Sequence, residues 1–200
     1  MRKMFMTSGA CLVVAICVAV GAHAQAPAQA PAAPAAPSGI VVAMPNYVSI
    51  PLEITVNKPA AEVWKRIGKF CDIGEWFQIP CMITSGKDGE YGAVRSVANE
   101  VLVAKTELSY TYTQPVREGR PYNLYHGTLE ARPVTATTSK LVYTLMFDNS
   151  MLADDAARER DKAQKTTTFT RALQNMKTLA EGGTLPPLAP RGAGPGGRGN

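Results

Sequence analysis

The chain has 200 residues, 46% of them hydrophobic, with 21 Lys and Arg against 16 Asp and Glu and a formal charge of +5. Four of the basic residues, Arg2, Lys3, Arg191 and Arg198, lie at the two ends, which leaves 17 basic against 16 acidic residues on the body. A domain that close to neutral offers no electrostatic footprint for a phosphate backbone, so nucleic acid is set aside as a partner.

Residues 1–24 place Arg2 and Lys3 ahead of an apolar run from Ala10 to Ala22, with Ala22-His23-Ala24 just before Gln25. That order reads as a secretory signal cut after Ala24. The run is shorter than the roughly 20 apolar residues of a membrane-spanning helix. No stable membrane anchor is therefore expected after cleavage, and the mature chain is expected to be periplasmic or secreted. Residues 25–44 open as QAPAQAPAAPAAPS, a composition that builds no core and reads as an extended linker. Residues 183–200, rich in Gly and Pro, read as a disordered tail. Between them, residues 45–182 form one domain large enough to enclose a core.

Val48, Ile50, Leu52, Ile54 and Val56 alternate with Tyr47, Ser49, Pro51, Glu53 and Thr55, the period of a strand with one buried face. Pro51 leaves one edge of that strand open. Asn57 is then expected to cap a helix with Pro59 in its first turn and Val63, Trp64, Ile67 and Phe70 as its apolar stripe. A short helical turn near 72–77 would carry Trp76. With Cys11 and Cys17 in the signal, Cys71 and Cys81 remain. In an oxidising compartment they are read as a disulfide, with two independent buried thiols as the alternative.

Period two returns from Ile79, with strands expected near 80–86, 91–98, 100–106, 108–114, 121–132 and 138–148, and links short enough for antiparallel neighbours. After Asp148 about thirty Ala-, Arg- and Lys-rich residues read as one long helix, with Phe169, Leu173, Met176 and Ala180 marking the buried face of its second half. Carried backward, that stripe meets Thr166, Ala163 and Ala156. These small or hydroxylated positions either leave space beneath the helix or belong to a solvated half.

With Ala98-Asn99 as a two-residue turn, Val97 faces Glu100 and Arg95 faces Leu102, so Arg95 and Glu100 become diagonal neighbours on one face. Val101 and Val103 compete with Leu102 for the buried side. Leu108, Tyr110 and Tyr112 share a face, as do Tyr125, Gly127 and Leu129, and then Leu141, Tyr143, Leu145 and Phe147. A core built for stability alone seldom places tyrosines, an Arg and a Glu on inward faces, because each polar tip needs a partner. An apolar pocket with a few convergent polar groups is how small-molecule sites are made.

A series of stretches in order carries a resemblance. They are Asn57-Lys58-Pro59-Ala60-Ala61-Glu62-Val63-Trp64 with Gly68-Lys69-Phe70, and Gly74-Glu75-Trp76 leading to Cys81. Gly92-x-x-Arg95, Glu100-x-Leu102, Tyr110-x-Tyr112, Tyr125-x-Gly127-Thr128-Leu129 and Leu173-Gln174-Asn175-Met176-Lys177 follow. Together they resemble the SRPBCC superfamily, which includes polyketide cyclase/dehydrase-like proteins, START lipid-transfer domains and birch-pollen-allergen-like proteins. The resemblance implies an α+β helix-grip fold: a seven-stranded antiparallel sheet curved around a long C-terminal helix, two short helices after the first strand, and an apolar cavity in the grip. It also implies that Glu100 and Tyr125 line that cavity, with Tyr110 and Tyr143 on matching positions. Trp76, Arg95, Tyr112 and Phe169 complete the candidate ligand-binding set. The short link between Val97 and Glu100 departs from hormone receptors of this superfamily and argues against a receptor-style gate.

His126, the one histidine after the signal, alternates away from Tyr125 and is expected on the outer face. No metal-ligand spacing, phosphate loop or triad motif is recognisable, so no catalytic residue, metal or cofactor is assigned. Two function classes remain. One is an exported protein that holds a hydrophobic small molecule or lipid. The other is a cyclase- or dehydrase-like enzyme with Glu100 as acid or base and a tyrosine steadying an enolate.

Overall fold

The structure, a computed structural model, describes residues 44–117 and 119–187. The expected signal, the expected linker up to residue 43 and the expected tail from residue 188 lie outside the described residues. Strand β1 (Tyr47–Val56) leads into helices α1 (Ala60–Ile67) and α2 (Ile73–Trp76). Strands β2 (Ile83–Ser85), β3 (Val94–Arg95), β4 (Glu100–Thr106), β5 (Ser109–Thr113), β6 (Asn123–Pro133) and β7 (Ser139–Asp148) follow, and α3 (Asp155–Ala180) closes the fold.

The strands form one antiparallel sheet in the order β1-β7-β6-β5-β4-β3-β2. The first and last strands pair from Tyr47 opposite Asp148 to Val56 opposite Ser139, so the chain must be almost complete before this edge forms. The inner face is apolar because β6 and β7 alternate along nearly their whole length, with Tyr125, Leu129, Leu141, Tyr143, Leu145 and Phe147 buried. Against it α3 buries Ala172, Leu173, Met176 and Leu179, all in its second half. Two polar ties hold that half down: Asn175 Nδ2 donates to the Trp76 carbonyl at 2.8 Å, and Lys177 Nζ to the Thr55 carbonyl at 2.7 Å. The expected sheet, closing helix and pair of short helices are all present.

Several boundaries differ from the sequence reading. Asn57 does not cap α1: Pro59 occupies the N-cap position with extended backbone and no side-chain cap bond. Asn57 lies two residues too early, and its N–H donates instead to Glu181 Oε1 beyond the end of α3. Phe70 falls outside α1 and joins the core from the following turn. The strands expected at 80–86 and 91–98 shrink to β2 and β3, because Gly86, Gly89 and Gly92 take positive φ and break the extended chain. Gly183–Pro187, read as the start of a loose tail, instead follows the domain: Leu185 packs against the core and the Pro186 carbonyl accepts from Gln78 Nε2 at 2.8 Å.

Cys71 and Cys81 are joined by a disulfide, with their Cα atoms 5.6 Å apart, closing the loop that contains α2 and Trp76. Replacing both cysteines by serine is expected to cost roughly 3 kcal/mol, the loop-closure value for about ten residues. Urea denaturation with and without reductant measures that loss, and an unchanged midpoint would contradict it.

Candidate functional site

The turn between β3 and β4 sets the geometry of the polar centre. Ala98 and Asn99 take positive φ, and Glu100 N–H closes the turn onto the Val97 carbonyl at 3.0 Å. The ladder behind this turn is displaced from the expected register, because Ser96 and Val97 are left out of it. Arg95 stands directly opposite Glu100, and Val94 opposite Val101. Glu100 and Leu102 point inward while Val103 is exposed, which settles the competition on that strand.

Arg95 is completely buried and Glu100 is 3% exposed. Arg95 Nε donates to Glu100 Oε2 at 2.6 Å, and Nη2 touches the same oxygen at 2.5 Å without lying along a hydrogen-bond direction. Nη1 donates to the Phe70 carbonyl at 2.5 Å. The guanidinium sits 4.2 Å from the Phe70 ring centroid and 4.7 Å from that of Tyr112. The other carboxylate oxygen, Glu100 Oε1, accepts from Gln114 Nε2 at 2.8 Å, and Gln114 Oε1 accepts from the Tyr122 hydroxyl at 2.7 Å. A continuous polar chain thus runs from Arg95 in the interior to half-buried Tyr122 at the mouth. Gln114 and Tyr122 escaped the sequence reading, although Gln114 continues the alternation of Tyr110 and Tyr112.

The remaining candidates surround this chain. Tyr112 and Tyr143 hydroxyls share a hydrogen bond at 2.9 Å. Tyr125 stacks on Phe147 with centroids 5.8 Å apart, Phe169 lies 4.8 Å from Tyr143, and Trp76 meets Tyr143 edge-on at 6.3 Å. Trp76 Nε1 and the Tyr110 hydroxyl are buried with no hydrogen-bond partner among the described residues. The sheet makes room for the phenols at Gly127, where an added Cβ would stand 2.4 Å from the Tyr112 ring. Tyr125 is aimed inward beside a bulge at Leu124, whose φ of 49° is unusual for a branched side chain. The Asn123 side chain accepts the Leu124 N–H at 3.0 Å and His126 Nδ1 binds the Leu124 carbonyl at 2.8 Å, holding the bulge from either side.

The hollow expected inside the grip is filled. Arg95, Leu129, Leu141, Tyr143, Leu145 and Phe147 retain no accessible surface, so no water-sized space adjoins them. At the mouth, a recess lined by residues including Gln114, Tyr122 and Tyr125 measures only about 10 Å³. Of the two readings of the small-residue stripe on α3, the structure has the solvated half: Ala156 and Ala163 are exposed and Thr166 is half-buried. Four-residue steps back from Phe169 reach Lys165 and Asp161 instead. These two pair with each other, and Lys165 Nζ lies 4.8 Å from the Phe147 ring centroid and 5.0 Å from that of Tyr122. Nothing in the apolar periodicity marks that pair.

Burial drives the protonation chemistry. It pushes the Tyr112 and Tyr143 phenols well above their ordinary value and raises Tyr110 and Tyr125 as well. Burial also raises the Glu100 carboxyl, opposed by Arg95 and Gln114. For Arg95, burial disfavours the cation, but the Glu100 carboxylate against it works the other way and the pKa is raised. The phenols therefore stay protonated near neutral pH, and both Glu100 oxygens are occupied. Among the described residues no group of three His, Cys, Asp or Glu side chains is placed to hold a metal ion, and no helix is long and apolar enough to cross a membrane.

A single curved antiparallel sheet that closes its first strand onto its last and grips a long C-terminal helix is shared with known structures. A Thermobifida fusca protein solved in solution is 21% identical, with a TM-score of 0.52 over 68% of this chain and 97% of that one. The Zhui aromatase/cyclase from Streptomyces sp. R1128 is 19% identical, with a TM-score of 0.52 over 70% of this chain and 100% of that one. The fold is the helix grip. A Nitrosospira multiformis protein is 22% identical with a TM-score of 0.50 over 64% of this chain and 96% of its own. No protein-family model matches the chain, and no curated protein sequence does.

Within this helix grip the Arg95–Glu100 pair acts as a unit. Arg95→Met leaves a buried carboxylate without its cation and is expected to cost about 3–5 kcal/mol, whereas the Arg95→Met/Glu100→Met double variant recovers at least half of that loss. Urea denaturation of the two single variants and the double variant tests the coupling, and additive losses would contradict it.

Proposed function

We propose that the protein is an exported binding protein that takes a hydrophobic small molecule into the grip between the sheet and α3. The observation that carries this reading is the polar chain from Arg95 through Glu100 and Gln114 to Tyr122, set in an otherwise aromatic interior and reaching the mouth. Such a chain gives an apolar ligand a few oriented polar contacts, the pattern of small-molecule sites. Entry requires the filled interior to open, and the first half of α3 is suited to that: it fully buries no side chain, and at the mouth it sets the Lys165–Asp161 pair against the Tyr122 and Phe147 rings. Export is supported by the signal-like order of residues 1–24 and by the disulfide between Cys71 and Cys81.

A cyclase-like reading is favoured by the likeness to the Zhui aromatase/cyclase. It requires Glu100 to exchange protons with a substrate, and that carboxylate is held by Arg95 and Gln114. Binding is therefore the better-supported role.

Fluorescence titration with the neutral apolar probe N-phenyl-1-naphthylamine tests the proposal. Saturable binding at one site per chain is expected, weakened about tenfold by Tyr125→Ala and changed less than about threefold by Tyr125→Phe. Absence of saturable binding, or equal affinity in the Tyr125→Ala variant, would overturn the placement in the grip.

A further inference from the structure

We infer that a second ligand site lies outside the grip, between the end of α1 and the β4–β5 hairpin, and that it takes an apolar molecule carrying one anionic group. The space there measures about 470 Å³, within the range of small-molecule sites. It is far larger than the recess at the mouth of the grip. It depends on different rim residues, so it stands independently of the grip reading.

The floor is aromatic and rigid. The Tyr110 ring lies 5.6 Å from that of Trp64 and 5.5 Å from that of Phe70, and with Leu102 these side chains form the apolar base of the cavity. Phe70, Leu102 and Tyr110 belong to the core, so the base cannot collapse without disturbing it. Trp64 is held by Gly68: a Cβ there would stand 2.4 Å from the indole, so only glycine lets the ring fold back over the chain. The roof is tied down as well, since Asp88 Oδ1 accepts the Phe70 N–H at 3.0 Å.

The rim supplies the charge. Lys65, Lys69 and Lys105 line the cavity, and none of them forms an ion pair among the described residues. Lys105 Nζ donates to the Gly89 carbonyl at 2.5 Å and lies 5.6 Å from the Tyr91 ring centroid, both neutral partners. Two carboxylates share the wall, Asp88 and Glu107. Asp88 is already committed to a backbone N–H, and the wall hydroxyls of Thr106 and Ser109 bond each other at 2.7 Å. Among the lining side chains three amines stand against two carboxylates over the aromatic floor, while Asp72, which accepts the Lys69 N–H, lies behind the rim and outside the lining. An aromatic or aliphatic carboxylate or sulfonate matches both features, with its apolar body against Trp64 and Tyr110 and its anion among the lysines.

Isothermal titration of the purified protein with 2-naphthoate and with its neutral isostere 2-naphthamide tests the site. The carboxylate is expected to bind once per chain and the amide at least about tenfold more weakly. The exposed double variant Lys65→Glu/Lys69→Glu is expected to weaken 2-naphthoate about tenfold while keeping the native circular dichroism. Tyr125→Ala, at the mouth of the grip, is expected to leave it unchanged. Equal affinity for acid and amide, no saturable binding of the acid, or loss on Tyr125→Ala without loss in the lysine variant would overturn the proposal.

Discussion

The buried Arg95–Glu100 pair is the constraint on which the rest of the interior depends. A guanidinium with no surface exposure is tolerable only if its charge and donors are met inside the protein. Glu100 supplies the counter-charge, the Phe70 carbonyl accepts one donor, and the Phe70 and Tyr112 rings lie against the cation. Each of these comes from a different element, so the pair ties the turn after α1 to β3, β4 and β5. The disulfide between Cys71 and Cys81 clamps the same corner. The left-handed turn at Ala98-Asn99 brings the two charges into direct opposition.

This centre divides the molecule into a firmly packed end and a loosely packed one. The second half of α3 is locked to α1, α2 and β1 by Leu173, Met176 and Leu179 and by the ties of Asn175 and Lys177. The first half contributes charged and small residues and rests on the mouth through Lys165 alone among its aromatic contacts. A helix held strongly at one end and weakly at the other can admit a guest without unfolding the sheet. Under the proposed binding role, the phenols of Tyr112 and Tyr143, which bond each other in the filled interior, are the polar groups that such an opening would free.

Much of this fold was legible because period-two alternation is strong in β1, β5, β6 and β7, where one face is consistently less exposed than the other. Tyr110, Tyr112, Tyr125 and Tyr143 fell on the inner face for that reason, and Arg95 and Glu100 shared a face under either register. The direct opposition of the charges was not legible, since it depends on two residues left out of the ladder beside the turn. The helix start was misplaced because Pro59 fits both the cap and the first turn. The inner line of α3 was misread because three-residue steps back from Phe169 reach Thr166 and Ala163, whereas the helix turns Lys165 and Asp161 toward the mouth. Charged inward positions carry no hydrophobic signal. Gln114 and Tyr122 matter through a hydrogen-bond chain that only the fold assembles, and the filled interior follows from ring packing that no periodicity encodes.

The most direct test of a grip that opens at one end is amide hydrogen exchange along α3. If the account holds, amides from Ala157 to Thr168 exchange through local opening well before those from Leu173 to Leu179, and saturating N-phenyl-1-naphthylamine slows the first group selectively. Equal protection along the whole helix, exchanging only with global unfolding, would contradict it.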